Sequence, residues 1–200
     1  MSIFKPAAIA ATIAISLMLL AACDKTPDAA PKAAATKAAP APVTVDAIKA
    51  EATGFTVGSP MNVRTVYVFF DPQCPHCAAL WNSAKPLKAQ TKFVWIPVGI
   101  LNRSSTTQGA TILSAKDPAA AMEENEASVL GHGSGITAAS GIDEVQAKVK
   151  KNTELFNRFG FESIPTVVAL HAKTGLMVKK EGSLSTGDLA AFLGLALPAQ

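Results

Sequence analysis

Asp71-Pro72-Gln73-Cys74-Pro75-His76-Cys77 is the stretch whose reading decides the fold. A β-branched and aromatic run, Val63 to Phe70, leads into it, and a helical pattern carrying Cys77, Leu80, Trp81 and Ala84 follows. Two cysteines with two residues between them, at a strand-to-helix junction, point to a redox-active pair. On a first helical turn such thiols can close a small disulfide. Pro75 suits that turn, where a missing N–H costs little. Cys74, nearest the helix start, lies beside unpaired backbone N–H groups and the positive end of the helix dipole. Both favour the thiolate, the form that attacks disulfides. A static disulfide and half of a zinc site are the alternative readings.

The chain has 200 residues, enough for one domain with a full core. Its hydrophobic fraction of 49% is inflated by alanine, much of it within residues 1–42. A net charge of +3, with no basic cluster interleaved with aromatics, argues against nucleic acid. Lys148, Lys150 and Lys151 are the densest basic group and read as a solvated helix face. Lys5 followed by the apolar run Ile9 to Leu20, too short to span a membrane, reads as an export signal over residues 1–22. Leu20-Ala21-Ala22-Cys23 is similar to a bacterial lipoprotein box, which makes Cys23 the expected lipid attachment site. Residues 23–56 are then a lipid anchor and a disordered tether, rich in Ala, Pro and Lys as far as Pro42, while Val45, Ile48 and Ala52 could form one side of a short helix and Phe55 to Val57 a strand. Residues 57–197 form the catalytic domain. With Cys23 at the anchor, Cys74 and Cys77 are the one remaining pair, and nothing is left for a structural disulfide. An exported chain with only that pair reads as a handler of disulfides.

Downstream, Phe93 to Val98 reads as a second strand. Thr106 to Ser114 is a weak helical segment, and Asp117-Pro118 supplies an N-cap and first turn for another ending near Leu130. Glu123, Glu124 and Glu126 read as the solvated face of that helix, and Gly131, Gly133 and Gly135 as a flexible connection. Ile142, Val145, Val149, Phe156 and Phe159 keep helical spacing up to Gly160. Ile164 to Leu170 is a strand opened by Pro165, Thr174-Gly175 a turn, Met177 to Glu181 its hairpin partner. Ser185 or Thr186 then caps a helix to Leu193. The expected class is α/β: strand, helix, strand, a helical insertion, helix, two strands, helix.

Val66-Tyr67-Val68-Phe69-Phe70-Asp71-Pro72, the Cys-Pro-His-Cys centre, Trp81, Ala84-Lys85-Pro86 and Ser114-Ala115-Lys116-Asp117-Pro118-Ala119 together resemble the DsbC/DsbG branch of the thioredoxin superfamily. The resemblance runs from about residue 57 to residue 195. It implies a thioredoxin-like fold with a helical insertion between its first βαβ half and its cis-proline half. Ile164-Pro165 would be the cis step facing the cysteines, its backbone groups open to an extended substrate. Cys74 would be the nucleophile and Cys77 the resolving thiol, with Pro75 and His76 modulating them. The implied activity is a periplasmic reductase or isomerase acting on disulfides or sulfenylated cysteines of exported proteins. A membrane thiol electron donor would keep it reduced, with no cofactor and no metal. Val68 stands where thioredoxins keep a buried acid, which leaves Asp71 or water to accept a proton. Pro75-His76 is the dipeptide of DsbA, so a DsbA-like dithiol oxidase is the alternative. A non-enzymatic metal-binding or chaperone module, drawing on His132 or His171, is a further one.

Overall fold

The computed structural model describes residues 39–197. In chain order they form α1 (Val45–Glu51), β1 (Phe55–Val57), β2 (Thr65–Phe70), α2 (Pro75–Ala84), a single 3-10 turn (Lys85–Leu87), β3 (Lys92–Pro97), α3 (Ser105–Ser114), α4 (Pro118–Leu130), α5 (Asp143–Arg158), β4 (Thr166–Leu170), β5 (Met177–Glu181) and α6 (Thr186–Leu193). One sheet takes the strands in the order β1-β3-β2-β4-β5. β2 is parallel to β3, with Val68 opposite Trp95, and antiparallel to β4, with Val68 opposite Val167. β1 and β5 form the edges, each antiparallel to its neighbour. This is the thioredoxin-like α/β order expected from the sequence, with α3 and α4 inserted between β3 and α5.

β2 is apolar almost throughout because both faces of the central sheet are covered. Phe69 points to one face and packs on Phe156 of α5 and on Phe161, with ring centroids 6.0 and 5.4 Å away. Phe70, its neighbour, points to the other and meets Trp95 and Phe55 edge-on. Trp81 of α2 closes that layer, 5.0 Å from the Trp95 ring. Each such aromatic, fully buried, stabilises the fold by about 1.5–3 kcal/mol. Trp81 is thus a core residue, with its indole nitrogen bonded to Glu123 and the Lys85 ammonium 5.8 Å from its ring centroid.

Sequence signals and helix ends agree closely. Asp117 accepts from the Ala120 N–H at 3.0 Å and starts α4, and Ser185 accepts from the Asp188 N–H at 3.2 Å and starts α6. Pro86 ends α2 by forcing the next residues into the 3-10 turn. Two expectations need correction. Val63 is 90% exposed and lies outside β2, whose pairing begins only at Thr65 opposite Lys92. The part of the expected tether from residue 39 onward is folded. Ile48 of α1 is wholly buried, β1 pairs with β3, and the Ala41 N–H donates to the Arg158 carbonyl at 2.8 Å. α1 and β1 form where Val45, Ile48 and Ala52 keep helical spacing and Phe55 to Val57 could be a strand, and tertiary packing holds the short helix. The export signal, Cys23 and the start of the tether lie outside the described residues.

Candidate active site

Asp71 follows β2 directly and has no exposed surface. Its Oδ1 accepts from the Gln73 N–H at 2.9 Å, and its Oδ2 from the N–H groups of Ile100 and Leu101 at 2.8 and 3.0 Å. The carboxyl thereby ties the turn before Cys74 to the loop after β3. Cys74 is the N-cap residue of α2, with extended backbone, and its carbonyl accepts the first helical hydrogen bonds from Cys77 and Ala78 at 3.0 and 3.1 Å. Both thiols are free, and Cys74 is 4% exposed against none for Cys77.

The helix start separates the two thiols chemically. The Cys77 thiol donates to Cys74, and this bond, with the backbone N–H groups of Cys77 and His76, lowers the Cys74 pKa from 9.0 to about 7 against burial and the nearby Asp71. Burial pushes Cys77 well above the usual thiol value, and its hydrogen bond to Cys74 adds to the effect. The more accessible thiol therefore has the greater thiolate character, and the buried one holds its proton. His76 and Pro75 are both exposed, and His76 acts on Cys74 through its backbone N–H.

Ile164-Pro165 is a cis peptide at the entrance to β4. It brings the Ile164 carbonyl to 4.0 Å from Cys74 Sγ, a thiol-to-carbonyl contact across 90 residues of sequence. Pro165 is buried, and its carbonyl takes the Gly182 N–H at 2.8 Å. Cys74, Pro75, His76, Cys77, Ile164 and Pro165 are thus brought together. His171 lies beyond the far end of β4, accepting from the Thr174 N–H, and His132 lies in the loop after α4. Among the described residues no three His, Cys, Asp or Glu side chains converge as metal ligands.

The inserted helices complete the site, and the sequence reading missed their part in it. Asn125 of α4 is fully buried. Its Nδ2 donates to the Pro72 carbonyl at 2.8 Å and its Oδ1 accepts from the Ile136 N–H at 2.9 Å. Gln73 donates to Gln108 of α3 and to the Ser134 carbonyl, and accepts from Asn102 Nδ2 at 3.1 Å. The expected flexible glycine connection is instead held in place. Gly133 and Gly135 donate to the Ser128 carbonyl and hydroxyl at 2.7 and 3.1 Å, and Ser134 receives the two glutamine amides.

The glutamates of α4 do not share one environment. Glu123 accepts from Trp81 Nε1 and Lys85 Nζ, both at 2.6 Å, and these two bonds hold its carboxyl below the usual range. Glu126 is 1% exposed, and burial pushes its carboxyl up to about 9. The expectation of a solvated face fails at Glu126. A usable signal was present: the buried residues Met122, Asn125, Glu126 and Val129 keep the spacing i, i+3, i+4, i+7, with apolar ends that fix the face.

Residues 59–196 match the thioredoxin-like domain family. The chain belongs to that family. It is similar to the thiol:disulfide interchange protein DsbG of Pseudomonas aeruginosa, 33% identical over 137 residues that make up 66% of this chain and 51% of that protein. DsbG of Escherichia coli is 31% identical over 105 residues, 51% of this chain and 42% of its own length. The chain thus spans about half the length of the curated relatives it matches. Among solved structures, a periplasmic thioredoxin-like protein from Salmonella enterica serovar Typhimurium superposes with a TM-score of 0.59 at 15% identity, over 76% of this chain and 97% of that one. The catalytic domain of Proteus mirabilis ScsC gives 0.56 at 15% identity, over 74% and 92%. These likenesses establish the thioredoxin-like fold.

Proposed function

We propose that the chain is a protein thiol:disulfide oxidoreductase of the reductase or isomerase type, working on disulfides or sulfenylated cysteines of exported proteins. The observation that carries this reading is the separation of the two thiols at the start of α2, with Cys74 near 7 and Cys77 held far higher. Cys74 thiolate attacks one sulfur of a substrate disulfide, the substrate's other sulfur leaves as a thiolate, and a mixed disulfide forms. Cys77 then loses its proton and attacks Cys74 Sγ. The second substrate thiolate departs, and two electrons have passed from the pair to the substrate. On a sulfenylated cysteine, Cys74 displaces hydroxide instead, and the later steps are the same.

Substrate recognition rests on the backbone of Ile164, whose carbonyl faces Cys74, and on exposed Ile100 and Leu101 beside Asp71. These offer an extended, partly apolar segment a hydrogen-bonding edge and a greasy rim. The likeness to the periplasmic Salmonella protein supports an exported compartment. In this reading residues 1–22 are an export signal, Cys23 carries lipid, and a membrane thiol donor restores the dithiol.

A dithiol oxidase is the second reading, and Pro75-His76 favours it. Magnitude weighs against it. Lowering Cys74 by two units, from 9.0 to about 7, stabilises the reduced pair. Only ionisation below the ambient pH counts, so at neutral pH the shift roughly doubles the stability of the reduced pair, worth about 10 mV, well under the roughly 150 mV that separates strong dithiol oxidants from thioredoxin. The test of the proposed function is insulin reduction. Cys74→Ser abolishes it and Cys77→Ser accumulates a mixed disulfide with substrate, while undiminished turnover by Cys74→Ser overturns the reading. An equilibrium potential against glutathione near that of a strong dithiol oxidant transfers the assignment to the oxidase.

A further inference from the structure

α4 crosses α2 with a definite register. At one end Trp81 Nε1 donates to Glu123, and at the other Asn125 Nδ2 reaches back to the Pro72 carbonyl, so the helices run in opposite directions. Glu126, one turn beyond Glu123 on the same face, falls abreast of the first turn of α2, which carries Cys77. It is 1% exposed. Its Oε1 has a 3.4 Å contact from Asn125 Nδ2, and its Oε2 is buried with no hydrogen-bond partner. A buried carboxyl oxygen left bare costs free energy that the fold recovers nowhere nearby, and such an exception calls for a chemical reason.

We propose that Glu126 exchanges a proton with Cys77 during thiol–disulfide exchange, so that the helical insertion supplies the acid–base group of the redox centre. The inference rests on the thiol-exchange reading above and names a residue that reading does not use. When an external thiolate attacks Cys74 Sγ, the Cys74–Cys77 bond breaks and its electron pair passes to Cys77 Sγ. That sulfur has no exposed surface on which water could solvate an anion. The Glu126 carboxyl gives it a proton, and solvent later restores the proton to Glu126. In the reverse direction the Glu126 carboxylate takes the Cys77 proton as Cys77 Sγ attacks Cys74 Sγ, the Cys74–Cys77 bond forms, and the thiolate bound to Cys74 leaves.

Asp71 does not fit this role, since its two oxygens already accept three backbone N–H groups. The groups that face Glu126 are few. Cys74, Cys77 and Asp71 approach it from the α2 side, and Glu123, itself paired with Lys85, lies on its own helix. α3 and β1 also pack on α4 and carry no titratable side chain. Burial keeps the carboxyl protonated up to about 9, so it enters the neutral-pH reaction as the donor.

The full chain in its oxidised form is reduced with dithiothreitol at pH values from about 6 to about 10, followed by tryptophan fluorescence, for the wild type, Glu126→Gln and Glu126→Asp. Glu126→Gln slows the reaction at neutral pH by at least about tenfold. The ratio of wild-type to variant rate, in which the reductant's own ionisation cancels, falls as pH rises through the titration of Glu126 in the disulfide form, below the value of about 9 that the dithiol form gives it. Glu126→Asp, which keeps a carboxyl, retains that pH-dependent ratio. A folded Glu126→Gln variant with the wild-type rate at every pH overturns the inference. Should Glu126→Gln not fold, carboxyl carbon NMR of the wild type decides. The Glu126 proton affinity must differ between disulfide and dithiol forms, and equal titration in both overturns the proposal. If instead the wild-type pair fails to exchange with dithiothreitol, the thiol-exchange reading itself falls and takes this inference with it.

Discussion

Asp71 and Glu126 are two buried acids beside one thiol pair, and they are held in opposite ways. Asp71, at the end of β2, has three backbone N–H groups on its two oxygens. Glu126, on the inserted α4, has one distant amide contact and one bare oxygen. Proximity in sequence to the cysteines would nominate Asp71 for chemistry. Satisfaction of the oxygens assigns the roles the other way. A fully bonded carboxyl is a brace, because its lone pairs are committed to the N–H groups it holds. A bare one has capacity left for a proton and a partner. The same contrast extends to the elements around them: the β2–α2 turn is fixed by local chain geometry, the insertion by side-chain amides reaching across it.

Replacing Asp71 tests the brace most severely. Asp71→Ala leaves three partly buried N–H groups without acceptors and is expected to lose about 3–5 kcal/mol in denaturant unfolding. A loss under about 1 kcal/mol would show that the loops relax around the missing carboxyl and that the contrast is overdrawn. Asn125→Ala applies the same question to the insertion. It strands the Pro72 carbonyl and the Ile136 N–H, at an expected cost of about 2–4 kcal/mol. Near-neutrality there would mean that α4 is merely appended to the site.

The two regions also differ in how much of them could be read from the residues. Strand β2, the proline at the start of α2 and the cysteine pair are local signals. Each depends on the chain's own period or on backbone groups within one turn, so the sequence carries them in full. The cis step at Pro165 became legible through family resemblance. Asp117-Pro118 announced α4 for the same local reason. What α4 does was not local. Its surface is alanine-rich, so only Met122 and Val129 mark the buried stripe, and the polar pair Asn125-Glu126 sits between them. The glycine loop failed similarly, because its order comes from Gln73, 61 residues from Ser134. Long-range amide pairs leave no periodicity to find.

Glu126 offers a thermodynamic version of the comparison. Its folded pKa of about 9 is raised above the ordinary 4.5. The folded state therefore binds a proton that the unfolded state has released, and this contribution is full below 4.5 and fades as pH rises towards 9. Glu126→Gln removes the penalty of keeping that group uncharged. Relative to wild type, the variant should gain stability by about 1.4 kcal/mol for each pH unit across that window, reaching some 3 kcal/mol near neutrality as an upper bound. Thermal or urea unfolding at several pH values measures the slope. A flat difference would mean that water reaches the carboxyl and that Glu126 is no more buried in function than Glu123.

The smallest effect is the sharpest discriminator between the two regions. Gln73 precedes Cys74 and joins the active-site turn to Gln108, Ser134 and Asn102. Its site is half-open to solvent, so Gln73→Ala should cost only about 1 kcal/mol. What it does to Cys74 is the real question. The groups that lower Cys74 to about 7 are the Cys77 thiol and the N–H groups of Cys77 and His76, all within the first turn of α2. If the turn alone sets the thiolate, the pH midpoint of Cys74 alkylation by iodoacetamide stays near 7 in the variant. A rise of a full unit would mean that the insertion, through Gln73, holds the helix start in the geometry the thiolate needs. The division between a self-sufficient turn and a bracing insertion would then have to be redrawn, with the amide network counted as part of what makes Cys74 reactive.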